Sequence, residues 1–129
     1  MCRMASYKSR LASLGAICAL TFASQTAAQS SPVSGETLFK QRCTICHSVV
    51  KDKPASVGPN LSGVVGRKAG TTAFAYSAAL KASAIIWTKP KLDMFLAMPS
   101  KTVPGTRMVM SVSDAKQRSA IIDFLGKAK

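Results

Sequence analysis

The chain has 129 residues, the length of one domain and too short for two independent cores. Hydrophobic residues make up 47% and charged residues 18%, which excludes a wholly disordered, low-complexity or collagen-like protein. Eighteen Lys and Arg against five Asp and Glu give a net charge of +13, which predicts an anionic partner without choosing among nucleic acid, membrane and acidic protein.

Arg3, Lys8 and Arg10 precede an uncharged run over residues 11–23, and Thr26-Ala27-Ala28 offers small residues before Gln29. This layout predicts a secretory signal peptide over residues 1–28, cleaved after Ala28, and a mature domain over residues 29–129 exported to the periplasm. The run is shorter than the ~20 residues that a membrane span needs, and no later stretch comes closer, so no membrane span is expected. Lipid attachment at Cys18 is disfavoured by the bulky Ile17 before it. Cleavage lowers the charge by three, to +10, and removes Cys2 and Cys18, so that only Cys43 and Cys46 remain. A small exported domain without a disulfide framework needs another staple.

Residues 29–33 are polar around Pro32 and predict a frayed start. Ser34 is placed to cap a helix running to about Cys46, with Leu38, Phe39 and Arg42 on related turns. Over residues 48–70, Pro54, Gly58, Pro59, Asn60, Gly63, Gly66 and Gly70 punctuate a loop with no sustained period. A loop this long inside a compact domain needs a body to wrap. Residues 76–82 predict a short Ala-rich helix, and Thr88 caps another over residues 89–98, with Pro90 tolerated in its first turn and Pro99 ending it. Ser113 and Asp114 open a last helix whose Ile121, Ile122 and Leu125 fall at helical spacing, with Gly126 in the position of a C-terminal glycine. The pattern contains no useful run of strand alternation, no internal repeat and no second domain, so the expected fold class is all-α.

Cys43-Thr44-Ile45-Cys46-His47 is the strongest chemical signal. C-x-x-C-H lets two thiols from one turn add to the two vinyl groups of haem while the adjoining imidazole reaches the iron. A redox dithiol of thioredoxin type belongs in a βαβ setting that this chain lacks, and it leaves His47 without a task. A tetrahedral zinc site needs further ligands, and the mature chain has no other Cys or His. One covalent haem c with its iron is therefore the expected cofactor, and it supplies both the staple and the body that the loop wraps.

With His47 the only histidine, a second protein ligand must be something other than imidazole, and thioether sulfur is the obvious candidate. Met94 and Met98 sit four apart on a predicted helix beside Leu92, Phe95 and Leu96, where core filling is the simpler role. Met108 follows Pro104-Gly105-Thr106-Arg107, a turn able to hold one side chain toward a buried centre. It leads Met110 only modestly on local chemistry.

Several separated motifs then stand in order: Gly35 and Phe39 ahead of the C-x-x-C-H, Gly58-Pro59-Asn60-Leu61, Gly66-Arg67-Lys68-Ala69-Gly70, Phe74-Ala75-Tyr76-Ser77, Trp87-Thr88 and Pro104-Gly105-Thr106-Arg107-Met108. Across nearly all of residues 35–125 the chain resembles the class I cytochromes c, in particular the mitochondrial cytochrome c and bacterial cytochrome c2 group. The resemblance implies a small single-domain class I cytochrome c fold, several helices and long loops wrapped around one covalent haem. It implies thioether attachment at Cys43 and Cys46, iron held between His47 and Met108, and a Pro59 carbonyl that orients His47. It matches Arg67, Tyr76 and Trp87 to positions that serve the haem propionates, and Gly35 and Phe39 to first-helix residues that meet the last helix through Phe124 and Leu125. The chain departs from the mitochondrial pattern with Phe95 for a tyrosine near the ligand sulfur, Leu80 for an asparagine and Met110 for a phenylalanine.

The function implied is that of a soluble periplasmic carrier of single electrons rather than an enzyme. A filled sixth position blocks exogenous ligands, and no second histidine is present to act on oxygen or peroxide. The expected partners are acidic surfaces of redox proteins such as a quinol-oxidising complex, terminal oxidase, reductase or dehydrogenase. The resemblance puts Arg42, Lys101 and Arg107 near the docking edge, with Lys116 a weaker candidate. Nucleic acid is not expected, for want of a reading motif or stacking aromatics, and a monomer is expected. Two alternatives are a dedicated electron-accepting partner of one exported dehydrogenase, and a haem enzyme or gas sensor with a displaceable Met108.

Overall fold

A computed structural model describes residues 33–129. The signal peptide expected over residues 1–28, and all but Val33 of the polar start, lie outside the described residues. Five helices follow in order: α1 (Gly35–Arg42), α2 (Ala78–Ala82), α3 (Lys89–Ala97), α4 (Pro99–Thr102) and α5 (Ala115–Lys127). Among the described residues the only β pairing is an isolated antiparallel bridge between Lys68 and Ile86. The all-α expectation therefore holds.

Each long helix starts where the sequence supplies a cap. Ser34 accepts from the Thr37 N–H at 3.1 Å, Thr88 from Lys91 at 3.3 Å and Asp114 from Gln117 at 3.0 Å, each serving an otherwise orphaned donor of a first turn. Ser77 does the same for Leu80, which shortens the helix expected from Tyr76 to Ala78–Ala82.

The helix ends differ from expectation in three places. α1 stops at Arg42 rather than near Cys46, and residues 43–46 form a turn in which the Cys43 carbonyl accepts from both Cys46 and His47, at 3.0 and 2.8 Å. Pro99 does not simply end α3. It forces Met98 out of the helical region, to φ −148° and ψ 82°, and then opens the single turn α4 from its first position. Gly126 does not terminate α5, which runs on to Lys127 with Ala128 as its cap. Ala128 is held extended, its carbonyl accepting from the Gly63 N–H at 2.7 Å, so no left-handed glycine is needed there.

The core forms where α1 and α3 pack against α5. Phe39 and Ile121 are its fully buried side chains, and Leu38, Leu92, Phe95, Leu96, Ile122 and Leu125 join them. Burial of side chains of this size is worth about 1.5–3 kcal/mol each. Gly35 lets α1 approach α5 backbone to backbone: a Cβ there would fall on the Ala120 carbonyl and lie 3.0 Å from the Phe124 Cβ. The Phe39 and Phe124 rings meet at 5.3 Å with a 44° tilt, beside this close approach. Met94 and Met98 are not core filler, as the helical pattern had implied. Both are about half exposed, because the buried face of α3 is taken by Leu92, Phe95 and Leu96.

The loop over residues 48–70 is ordered by two polar side chains. Asn60 donates through Nδ2 to the carbonyls of Val50 and Lys53, both at 2.8 Å, and accepts from the Ser62 N–H through Oδ1. Arg67 donates from Nη1 to the Ser62 carbonyl at 2.8 Å and from Nη2 to the Asn60 carbonyl at 2.9 Å. These bonds satisfy backbone groups that no helix or sheet serves, and they close the loop around one side of a cavity.

Candidate functional site

The turn after α1, the ordered loop, α3, the segment after α4 and α5 together enclose a cavity of about 580 Å³. That volume lies within the ~300–1,000 Å³ typical of small-molecule and cofactor sites. Cys43, Cys46 and His47 line one part of it, and Met108 lines it as well. Arg67, Tyr76 and Trp87 also reach its wall. Much of the remaining lining is apolar, including Leu80, Leu92, Phe95 and Leu96.

Local sequence explains how each polar member is presented. The tight turn at residues 43–46 follows directly on the end of α1, so both thiols and the imidazole issue from one short stretch. His47 Nδ1 lies 2.8 Å from the Pro59 carbonyl, which holds the ring in the tautomer that leaves Nε2 free of the proton. The ring lies close over Gly58: a Cβ there would sit 2.5 Å from the His47 Cε1 and 2.7 Å from Nδ1. Only glycine fits beneath the imidazole.

Met108 is positioned by the turn that its neighbours encode. The Thr106 N–H donates to the Val103 carbonyl at 3.0 Å, with Pro104 and Gly105 at the corner and Gly105 at φ +86°. A proline followed by a left-handed glycine is the requirement of a type II turn. Met108 is half-buried against the core, whereas Met110 is exposed and does not line the cavity.

The cavity carries its own electrostatic signature. Arg67 is half-buried, and loss of solvent pushes its guanidinium below the usual arginine range, opposed by Tyr76. A partly desolvated cation in the wall favours an anionic group beside it. The Tyr76 hydroxyl hydrogen-bonds the Thr72 hydroxyl, and the Tyr76 ring meets Phe74 edge-on at 5.0 Å. Trp87 is buried, packs on Phe95 at 5.0 Å, and brackets Arg67 through the backbone, its N–H donating to the Arg67 carbonyl at 2.9 Å.

The competing readings of the cysteine pair find no support in this geometry. Both cysteines are free, and burial pushes the Cys43 thiol up, with Arg42 opposing and Cys46 adding to the rise. Among the described residues no three His, Cys, Asp or Glu side chains gather where a metal ion alone would sit. An apolar cavity with two thiols, an oriented imidazole, a thioether and a half-buried cation on its walls does suit a porphyrin bearing two acidic side chains.

The structure brings Cys43, Cys46, His47, Arg67, Tyr76, Trp87 and Met108 to this one cavity. Of the expected docking cations, Arg107 lies on its rim and is exposed, while Arg42, Lys101 and Lys116 are exposed but do not line it. Sequence reasoning did not find Thr72 or the clamp on the far end of the Met108 segment. There Arg118 of α5 donates through Nε to Asp93 of α3 at 2.7 Å and through Nη1 to the carbonyls of Val112 and Ser113, while the Val112 N–H donates to the Leu96 carbonyl. A cation recurring on the same side of α5 as Ile121, Ile122 and Leu125 was the one available signal for Arg118.

Comparison with known proteins agrees with this geometry. A family model described as cytochrome c matches residues 32–129. Cytochrome c of Theileria annulata is 39% identical over 101 residues, covering 78% of this chain and 88% of that protein. Cytochrome c2 of Rhodomicrobium vannielii is 41% identical over 118 residues, covering 90% and 92%. Among solved structures, cytochrome cH from Methylobacterium extorquens superposes with a TM-score of 0.66 at 44% identity, covering 72% of this chain and 94% of that one. The chain therefore belongs to the cytochrome c family, electron carriers of the class I fold built on covalently attached haem c.

Proposed function

We propose that this protein is a periplasmic carrier of single electrons in which Cys43 and Cys46 would form the thioether bonds to haem, and His47 and Met108 would hold its iron. The observation that carries the reading is the convergence of these four side chains on one apolar cavity, with the His47 Nδ1 already committed to the Pro59 carbonyl. When bound, haem c supplies a one-electron iron couple. The bond from His47 to Pro59 leaves Nε2 as the available donor and makes the imidazole a stronger one. Met108 would offer a soft thioether, which favours the reduced state and leaves small ligands no open place on the iron. Arg67, Tyr76 and Trp87 stand in the cavity wall as the groups that neutralise and hydrogen-bond the propionates.

Transfer through such a site requires that little move. The type II turn before Met108, the glycine under His47 and the hydrogen bonds of Arg67 hold the surroundings of the iron rigid. The surplus of Lys and Arg, with Arg107 on the rim and Arg42 and Lys101 exposed, steers encounters with acidic faces of redox enzymes. Rates with the true partner therefore fall as ionic strength rises.

The ferric spectrum tests the ligation directly. The weak iron–sulfur charge-transfer band is expected in the parent, absent in Met108→Leu, and retained in Met110→Leu and Met94→Leu. A band that survives Met108→Leu overturns the assignment. Substituting Met108 is also expected to lower the reduction potential, since thioether ligation raises it.

A further inference from the structure

Of the six methionines, Met1 and Met4 belong to the expected signal peptide, and the other four all fall within residues 94–110, the stretch that carries Met108. Three of these are about half exposed, Met94 at 52%, Met98 at 51% and Met110 at 54%. Met108 alone is half-buried and packed against the core. Core filling, the ordinary use of methionine, does not account for the three exposed ones.

The fold holds them outward. Leu92, Phe95 and Leu96 take the buried face of α3, and the Thr102 hydroxyl donates to the Met94 and Met98 carbonyls, both at 3.0 Å, which fixes the corner between α3 and α4. The Val112 N–H donates to the Leu96 carbonyl and so returns the segment carrying Met110 to the end of α3. At an exposed position leucine would serve an apolar contact equally well. What methionine adds is a sulfur that oxidants attack.

We propose that Met94, Met98 and Met110 are oxidation sites that consume hypohalous acids before Met108 does, and thereby preserve the Met108 thioether. At each sulfur one S–O bond forms and two electrons leave; with hypochlorous acid the O–Cl bond breaks, and chloride and a proton are released. The product is a polar sulfoxide, which a solvent-facing side chain tolerates and a packed one does not. The order of oxidation stands on exposure alone, whereas the benefit of sparing Met108 rests on its proposed role toward the haem iron.

Mass-spectrometric mapping of the ferric holoprotein after about two equivalents of hypochlorous acid tests the order. Sulfoxide at each of Met94, Met98 and Met110 is expected to exceed that at Met108 at least threefold; a smaller ratio overturns the order. This measurement needs no variant. Met94→Leu/Met98→Leu/Met110→Leu exchanges side chains of similar volume at the surface. At the same dose its Met108 sulfoxide is expected to rise at least twofold over the parent, with a matching loss of the iron–sulfur band; a smaller rise overturns the protection. A band missing from the untreated parent contradicts the ligation reading alone, because the sulfoxide maps decide the order and the protection without it.

Discussion

Gly58→Ala adds one methyl group and displaces the ring on which the proposed iron site depends. The new Cβ would stand 2.5 Å from the His47 Cε1, and ordinary contact begins at 3.4 Å, so the imidazole must retreat by about 0.9 Å. Its bond to the Pro59 carbonyl is 2.8 Å long and, stretched by that amount, ceases to be a hydrogen bond. Overpacking costs about 1–3 kcal/mol and the lost bond about 0.5–1.5 kcal/mol, for a total of about 1.5–4.5 kcal/mol. At roughly 4–8 °C per kcal/mol for a domain of this size, the melting temperature should fall by at least about 6 °C. The potential should rise, because an imidazole without its acceptor donates less strongly and supports ferric iron less well. Thermal unfolding of the ferric holoprotein, followed by the Soret band and by far-ultraviolet circular dichroism, gives the first quantity, and equilibrium redox titration the second. A variant with parental melting temperature and parental potential would refute the claim that Gly58 sets the seat of His47.

Three further outcomes follow from other contacts. Phe95→Tyr places a hydroxyl beside Trp87 in the wall of the cavity that Met108 also lines, so the potential should rise by redox titration; a fall contradicts the view that phenylalanine lowers it. Arg118→Leu removes the links from α5 to Asp93, Val112 and Ser113; because Asp93 is partly exposed, a loss of about 1–3 kcal/mol in guanidinium unfolding is expected, with faster imidazole binding to the ferric protein as the Met108 segment loosens. The Asp114 carboxyl is held below the ordinary aspartate range chiefly by the Gln117 N–H, so its contribution is full above the unfolded value of about 3.9 and is lost as pH falls through the lower folded value. Asp114→Asn keeps a cap without that titration, and its stability should decline less steeply with acid below about pH 4.

Chemistry written in contiguous residues was legible without the fold. C-x-x-C-H demands a haem because two thiols and an imidazole within five positions have few other uses, and Pro104-Gly105 encodes its turn in two residues. The caps Ser34, Thr88 and Asp114 were equally plain, since a cap acts only three residues ahead. Helix ends were less plain because they answer to distant groups: α5 runs past Gly126 because Gly63 draws the Ala128 carbonyl into an extended conformation. Met94 and Met98 show the same limit, for helical spacing gives a face but not the direction in which it points.

By itself, then, the order of residues determined the cofactor and the all-α class, because each is written in patterns between neighbours along the chain. How closely Gly58 approaches the His47 ring, how Arg118 restrains the Met108 segment and how Arg67 comes to line the cavity were decided only by the tertiary structure. These depend on approaches between residues far apart in sequence, such as Gly35 with Ala120 and Asp93 with Arg118. Their distances are set by how whole helices pack, and no local pattern carries that information.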